Sequence, residues 1–399
     1  MISYETSQNM ISLLPMGTLR SERLFIGSAL GRILAEDIVA EEDYPTHPTS
    51  AMDGYAVIHA DFSDYKALAI LGDNPAGADE IDAVENGICI KTFTGSLMPE
   101  GSDTLIPIEN VSVKEGQILI EKMVPLGFAV RPVGESYRRG EVLISRGTTI
   151  GFAEIGVLAG INRVMIWVAQ RPRVSIIATG SEIIDIGETQ RHGGQIRSSN
   201  SYTLEALVNS LGGESVGMGI IGDDKNAIME RFEEALVSSD IVVSTGGVSV
   251  GDYDFVKHIV PKLGAEVIFK GVNIKPGQHV MVAQRGKKFI VSLPGFAYSS
   301  TVTFILYVAP LISRMLGTTN PYEPIEATLK VPFAKRSNKS EFTACNLTFL
   351  DGRYWVDFEG KKSGSSAILT NLLGNAALMI CGEDDGILEV GTQVRVIKL

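Results

Sequence analysis

Between residues 171 and 317, short runs of apolar and β-branched residues alternate with segments whose apolar positions recur every three or four residues. This is the grammar of an α/β domain. Val174-Ser175-Ile176-Ile177-Ala178-Thr179 reads as a buried strand that stops at Gly180. Leu204, Leu207, Val208 and Leu211 follow helical spacing behind a Ser199-Asn200 cap, and Gly212-Gly213 closes that helix. A second strand ends at Ile221 before Asp223-Asp224, and Ile228, Phe232 and Leu236 mark the next amphipathic helix. The third strand, Ile241-Val242-Val243-Ser244, is apolar enough to be buried on both faces, as parallel strands are.

Beyond Gly317 the helical period disappears. Runs such as Tyr354-Trp355-Val356-Asp357-Phe358 and Gln393-Val394-Arg395-Val396-Ile397 alternate instead, so residues 318–399 read as a small all-β domain. Residues 45–139 are rich in short strands and Gly turns. Two pieces that flank them, residues 21–42 and 151–160, read as helical and could form one discontinuous element, a helical region made of residues 1–44 and 140–170. The stretch from 289 to 313 has no charged side chain, but Pro294-Gly295, Ser299-Ser300 and Pro310 interrupt it. A strand, a turn and a buried helix fit it better than a membrane span.

Lys and Arg total 35 against 47 Asp and Glu, a net charge of −12, which argues against a nucleic-acid footprint. An anionic ligand must then be caught by a local cluster of backbone N–H groups, Lys or Arg, or by a bridging cation. The three cysteines, Cys89, Cys345 and Cys381, form no CxxC pair, so neither a disulfide framework nor a structural zinc is expected, and a reducing cytoplasm fits. The N-terminus has no basic region followed by an apolar run, so no secretory signal is expected. The five histidines have no metal-ligand spacing, and His47 and His59 read as loop residues.

In open α/β sheets ligands bind beyond the carboxyl ends of the strands. The three loops there are Thr179-Gly180-Ser181-Glu182, Gly222-Asp223-Asp224 and a run from Gly246-Gly247-Val248-Ser249 through Gly251 to Asp254, which place Glu182, Asp223 and Asp254 near one sheet edge. The glycines of the third loop permit positive φ and leave consecutive N–H groups to cradle an oxyanion, although three capped turns would also explain these residues.

Six motifs occur in one order: Ser50-Ala51-Met52-Asp53-Gly54-Tyr55-Ala56, Thr94-Gly95 with Pro99-Glu100-Gly101, Thr179-Gly180 with Glu182, the Gly246-to-Asp254 loop, Lys275-Pro276-Gly277, and Leu293-Pro294-Gly295. The series, spread over nearly the whole chain, resembles the molybdopterin molybdenumtransferase family, the bacterial MoeA proteins and the gephyrin E domain. The resemblance implies a multidomain α/β plus β fold: a central molybdopterin-binding domain with a mostly parallel sheet, a β-rich insertion domain, a helical dimerisation region and a small C-terminal β-barrel-like domain. It also implies an elongated homodimer whose active sites are shared between the α/β domain and the partner's β-domain, downstream of a molybdopterin adenylyltransferase. The implied reaction takes adenylylated molybdopterin and molybdate to molybdenum cofactor and AMP, with Mg²⁺ as cofactor. Glu182, Asp223 and Asp254 match the family's acidic, metal-holding positions, and Asp53, with Thr94 and Arg131 beside it, matches the partner's contribution. Gly246, Gly247, Ser249, Gly251, Lys275, Pro294, Gly295 and Ser365 match cofactor-binding positions. Asp53 could instead cap a turn, Lys275 could be a solvated loop lysine, and Ser365 could belong to a plain polar turn.

The chain departs from the family pattern at Ser136 and Ser181, each in place of Asp, at Phe296-Ala297 in place of Asn-Pro, and at Gln278 in place of Lys. A lost carboxylate weakens cation binding, and Phe296 either narrows the pocket or stacks on a ring. The leading reading is therefore the molybdenum insertase. Its alternatives are a diverged binder or scaffold, or the same chemistry on tungstate, which shares molybdate's charge.

Overall fold

The computed structural model describes residues 1–17, 19–63, 67–248, 255–362 and 365–399. The chain forms two compact units: Met1–Ala35, Thr149–Gly151 and Met165–Leu399 in the first, Glu36–Thr148 and Phe152–Val164 in the second.

In the first unit, α1 (Tyr4–Leu13) precedes β1 (Ser21–Phe25), which pairs antiparallel with β2 (Met165–Ala169). The helix expected over residues 21–42 does not form. Residues 21–25 alternate between half-buried and exposed, and Gly27 and Gly31 lie where a longer helix would continue, at a cost relative to alanine. The short strand Ile38–Val39, in the second unit, pairs with Val142–Ile144. The helix read at 151–160 is present as Phe152–Gly160.

The α/β region follows as β3 (Arg173–Thr179), α2 (Ser199–Ser210), β4 (Glu214–Ile221), α3 (Lys225–Ser238), β5 (Ile241–Thr245), α4 (Val256–Lys262), β6 (Glu266–Lys270), β7 (Ile274–Lys275), β8 (Met281–Arg285) and β9 (Lys288–Leu293). One sheet runs in the order β4-β3-β5-β9-β8-β6. Its first four strands are parallel, β8 pairs antiparallel with β9, and β6 pairs antiparallel with β8. Every position of β5 is buried, as its apolar run requires when helices cover both faces. Helix α2 starts one residue before the cap read from sequence: Ser198 is the N-cap, and its hydroxyl bonds Ser201 Oγ at 2.8 Å.

The uncharged stretch resolves into β9, α5 (Ala297–Tyr307) and α6 (Ala309–Leu316), with the turn expected at Pro294-Gly295. Among the described residues, Ala297–Leu316 is the one segment long and apolar enough to cross a membrane, and 83% of its most apolar 18-residue window is buried inside the protein. Downstream, β10 (Ile325–Leu329), β11 (Ser340–Leu350), β12 (Arg353–Asp357), β13 (Ala376–Cys381) and β14 (Gln393–Lys398) close into a five-stranded barrel through the β11–β13 pairing, and β7 joins its edge beside β11. Ala327, Leu329, Cys345, Leu347, Val356, Met379 and Val396 are among the residues that fill it.

The second unit is built on a six-stranded sheet in the spatial order Thr104–Pro107, Gly54–Val57, Ile88–Thr92, Ala67–Asn74, Gln117–Ile120 and Val111–Lys114. Tyr55, Val57, Leu68, Cys89, Ile106 and Ile118 form its core. Gly54 is required there, because a Cβ would lie 2.3 Å from the Ile106 carbonyl oxygen of the neighbouring strand.

Candidate active site

In the parallel sheet Thr179 lies beside Ile221, Ala178 beside Thr245, and Thr245 beside Leu293, so the loops that follow these strands leave one edge together. β3 sits between β4 and β5, so the chain runs outward from it in both directions, which opens a crevice at that edge. A cleft of about 1510 Å³ lies there, lined also by the C-terminal barrel's loops.

Of the residues singled out from sequence, Glu182, Asp223, Gly246, Gly247, Lys275, Pro294, Gly295 and Ser365 all line this cleft. Ser249, Gly251 and Asp254 lie outside the described residues. Ser181 and Asp223 tie two loops together: Ser181 N–H donates to Asp223 Oδ2 at 3.2 Å, and Asp223 N–H donates to Ser181 Oγ at 3.0 Å. Ser181, which stands in place of a carboxylate, thus fixes the one next to it.

The glycine loop corrects one expectation. Gly246 N–H donates to Leu293 O at 3.1 Å and prolongs the sheet ladder, so it is not available to a ligand. Gly247, at φ +69°, has no such bond among the described residues. A Cβ on Gly246 would lie 2.8 Å from Thr179 O, and one on Gly247 would lie 2.7 Å from Val256 Cγ2. Both positions therefore need glycine for space as well as for dihedral angle.

Asn200 Nδ2 donates to Gly295 O at 2.8 Å and anchors the loop before α5. Phe296 is that helix's N-cap but supplies no side-chain bond, and its ring is 62% exposed on the cleft wall. Ser365 Oγ accepts from Ala367 N–H at 3.2 Å, the local turn that its surroundings suggested, while also lining the cleft.

The cleft's charge was only partly visible beforehand. Arg197, Lys275, Arg336, Lys339, Lys361 and Lys362 line it against three carboxylates, Glu182, Asp223 and Glu341, a local excess of cations on a chain of net −12. All but Arg197 and Lys275 come from loops of the barrel. These were not singled out from sequence; the signal that could have found them is the basic grouping of Lys335, Arg336 and Lys339, and of Lys361-Lys362 ahead of the 363–366 turn.

In the second unit, Ser50 N–H donates to Ser96 O, Gly95 N–H to Ser50 O, and Ala51 N–H to Ala129 O, each at 2.9 Å. The segments that carry Asp53, Thr94 and Arg131 are thereby stitched together. Asp53 Oδ1 accepts from Thr94 N–H at 2.8 Å and from Thr94 Oγ1 at 2.7 Å. These bonds, the amide first, hold the Asp53 carboxyl below the usual range. Arg131 Nε donates to Glu135 Oε2 at 2.5 Å, and its Nη2 to Ser136 Oγ at 3.4 Å.

Among the described residues no three His, Cys, Asp or Glu side chains cluster to hold a metal. The three cysteines are unpaired and buried, and burial pushes each thiol up to about 12.

Fold and cleft together define a class: a multidomain α/β protein with a cation-lined cleft where the parallel sheet's strand order reverses. Three family models cover the chain: the MoeA N-terminal region (domain I and II) at residues 2–161, a probable molybdopterin binding domain at 175–314, and the MoeA C-terminal region (domain IV) at 326–399. A relative from Nostoc sp. named molybdopterin molybdenumtransferase is 33% identical over 389 residues, 95% of this chain and 89% of its own. One of the same name from Haemophilus influenzae is 30% identical over 362 residues, 90% and 87% of the two chains. The crystal structure of the molybdopterin biosynthesis MoeA protein of Pyrococcus horikoshii OT3 superimposes with a TM-score of 0.83 at 28% identity, covering 100% of both chains. The chain belongs to the MoeA family of molybdopterin molybdenumtransferases.

Proposed function

We propose that this protein inserts molybdenum into molybdopterin, taking adenylylated molybdopterin and molybdate and releasing AMP. The observation that carries the reading is the cleft at the reversal of strand order, with a glycine cradle and six cationic side chains on a strongly acidic chain. A volume of about 1510 Å³ accommodates a pterin joined to a nucleotide, which exceeds an ordinary small-molecule ligand.

The N–H groups of Gly247 and Val248 take a phosphate oxygen. Lys275, with the barrel's basic loops, takes the incoming oxyanion, and the exposed Phe296 ring offers a stacking surface. Glu182 and Asp223 fit Mg²⁺, an ion that takes one or two carboxylates and fills its remaining positions with phosphate oxygens and water. The Ser181 bond fixes Asp223 through Oδ2, while Oδ1 has no hydrogen-bond partner among the described residues. Asp254 is the third candidate ligand. When bound, Mg²⁺ neutralises the phosphoanhydride's charge and helps AMP leave. We further infer a homodimer in which the partner's Asp53, Thr94 and Arg131 group completes each cleft, an adenylyltransferase that supplies the activated pterin, and a cytoplasmic setting that matches the unpaired thiols.

The test is AMP release from adenylylated molybdopterin with molybdate and tungstate side by side. Release that depends on the oxyanion supports the reading. Tight pterin binding with no release would instead favour the diverged binder.

A further inference from the structure

Glu341 lies on β11 directly opposite Lys275 of β7, where the two strands pair in parallel. It is 4% exposed, and its Oε1 alone collects three donors: Ser337 Oγ at 2.6 Å, Lys275 Nζ at 3.3 Å and Arg336 N–H at 3.3 Å. A carboxylate buried this far is tolerated only when paired and hydrogen-bonded. Its partner, however, is a cleft-lining lysine whose side chain is 46% exposed. The ammonium therefore has two claimants, the fixed carboxylate behind it and any anion that enters. The neighbouring Lys339 differs, since its ammonium donates to the neutral Gln278 Oε1. Of these two tethers only that of Lys275 carries a negative charge.

We propose that Glu341 is a positioning residue acting through Lys275: it holds the ammonium at the cleft wall and, as a resident counter-ion, lowers the cleft's affinity for oxyanions so that they remain exchangeable. The proposal rests on reading Lys275 as an anion contact. It does not make Glu341 a ligand of the substrate. Glu341→Gln keeps the volume and an acceptor oxygen for Ser337 and Arg336 and removes only the charge. The attraction between Lys275 and an anion then loses its competitor. For a half-exposed ammonium the gain is on the order of three- to tenfold.

The experiment is equilibrium binding of molybdate to the full-length protein, as wild type, Glu341→Gln, Lys275→Ala and the double variant, at low and high ionic strength. Glu341→Gln is expected to bind molybdate about three- to tenfold more tightly, with the gain shrinking in salt and vanishing in the Lys275→Ala background. Weaker or unchanged binding by Glu341→Gln overturns the proposal, as does a gain that survives removal of Lys275. If Lys275→Ala alone leaves binding unchanged, the reading of Lys275 fails first and the proposal falls with it. If Glu341→Gln does not fold, Glu341→Asp, which keeps the charge but withdraws it from Lys275, is expected to give a smaller gain. No gain there counts equally against the proposal.

Discussion

Asp53 shows how a residue whose type suggests a turn can still be tuned for charge. It sits before Gly54 in a Met-Asp-Gly-Tyr run and is exposed, yet it accepts both donors of Thr94. Because its folded pKa lies below the ordinary 3.8, the bonds add stability that is present above the unfolded value and is lost as pH falls through the folded one. At neutral pH the group is anionic, so it acts as a charge and not as an acid. Thr94→Val removes the hydroxyl and leaves the amide, so the Asp53 titration followed by NMR should move upward, toward the ordinary value. An unmoved titration would show that the hydroxyl has no part in it. At this scale the sequence revealed residue types but not partners. Gly246 and Gly247 look alike in a string of letters, and only strand pairing shows that the first is spent on Leu293.

Among the elements, α5 begins awkwardly. Phe296 occupies the N-cap with no side-chain bond and Ala297 occupies the first helical position, where asparagine and proline would each be favoured. The Phe296 backbone, at φ −70° and ψ 132°, already suits a residue before proline. Phe296→Asn with Ala297→Pro should therefore raise stability in denaturant unfolding by about 1 kcal/mol. If the exposed ring stacks on the substrate, the same variant should weaken pterin binding about three- to tenfold. Unchanged pterin affinity would place the loop outside the working site. Elements read most truly where burial imposed a uniform pattern: β3 was legible as a buried strand and β5 as a parallel one. Residues 21–42 misled because scattered apolar positions mimic a helix, whereas β1 is specified by a partner about 140 residues away, an order of separation that no local period records. The barrel's basic loops were missed for the same reason, since only the β7–β11 pairing brings Lys275 and Glu341 side by side.

For the molecule as a whole, the exposed apolar residues bear on the proposed dimer. In the first unit Phe25, Met165 and Trp167 are exposed on the β1–β2 ribbon. In the second unit Phe152, at 89% exposure, opens the helix that also exposes Val157. Apolar surface of this kind is what the homodimer proposed above would cover. Light scattering at micromolar concentration should give the mass of a dimer, and a monomer would contradict the shared cleft proposed above. The central claim is transfer itself, and its most direct test is to incubate the protein with adenylylated molybdopterin and Mg²⁺ and to measure AMP and pterin-bound metal as molybdate is added. The account predicts that AMP appears in step with bound molybdenum. Tight binding of the pterin with neither AMP nor bound metal would contradict it.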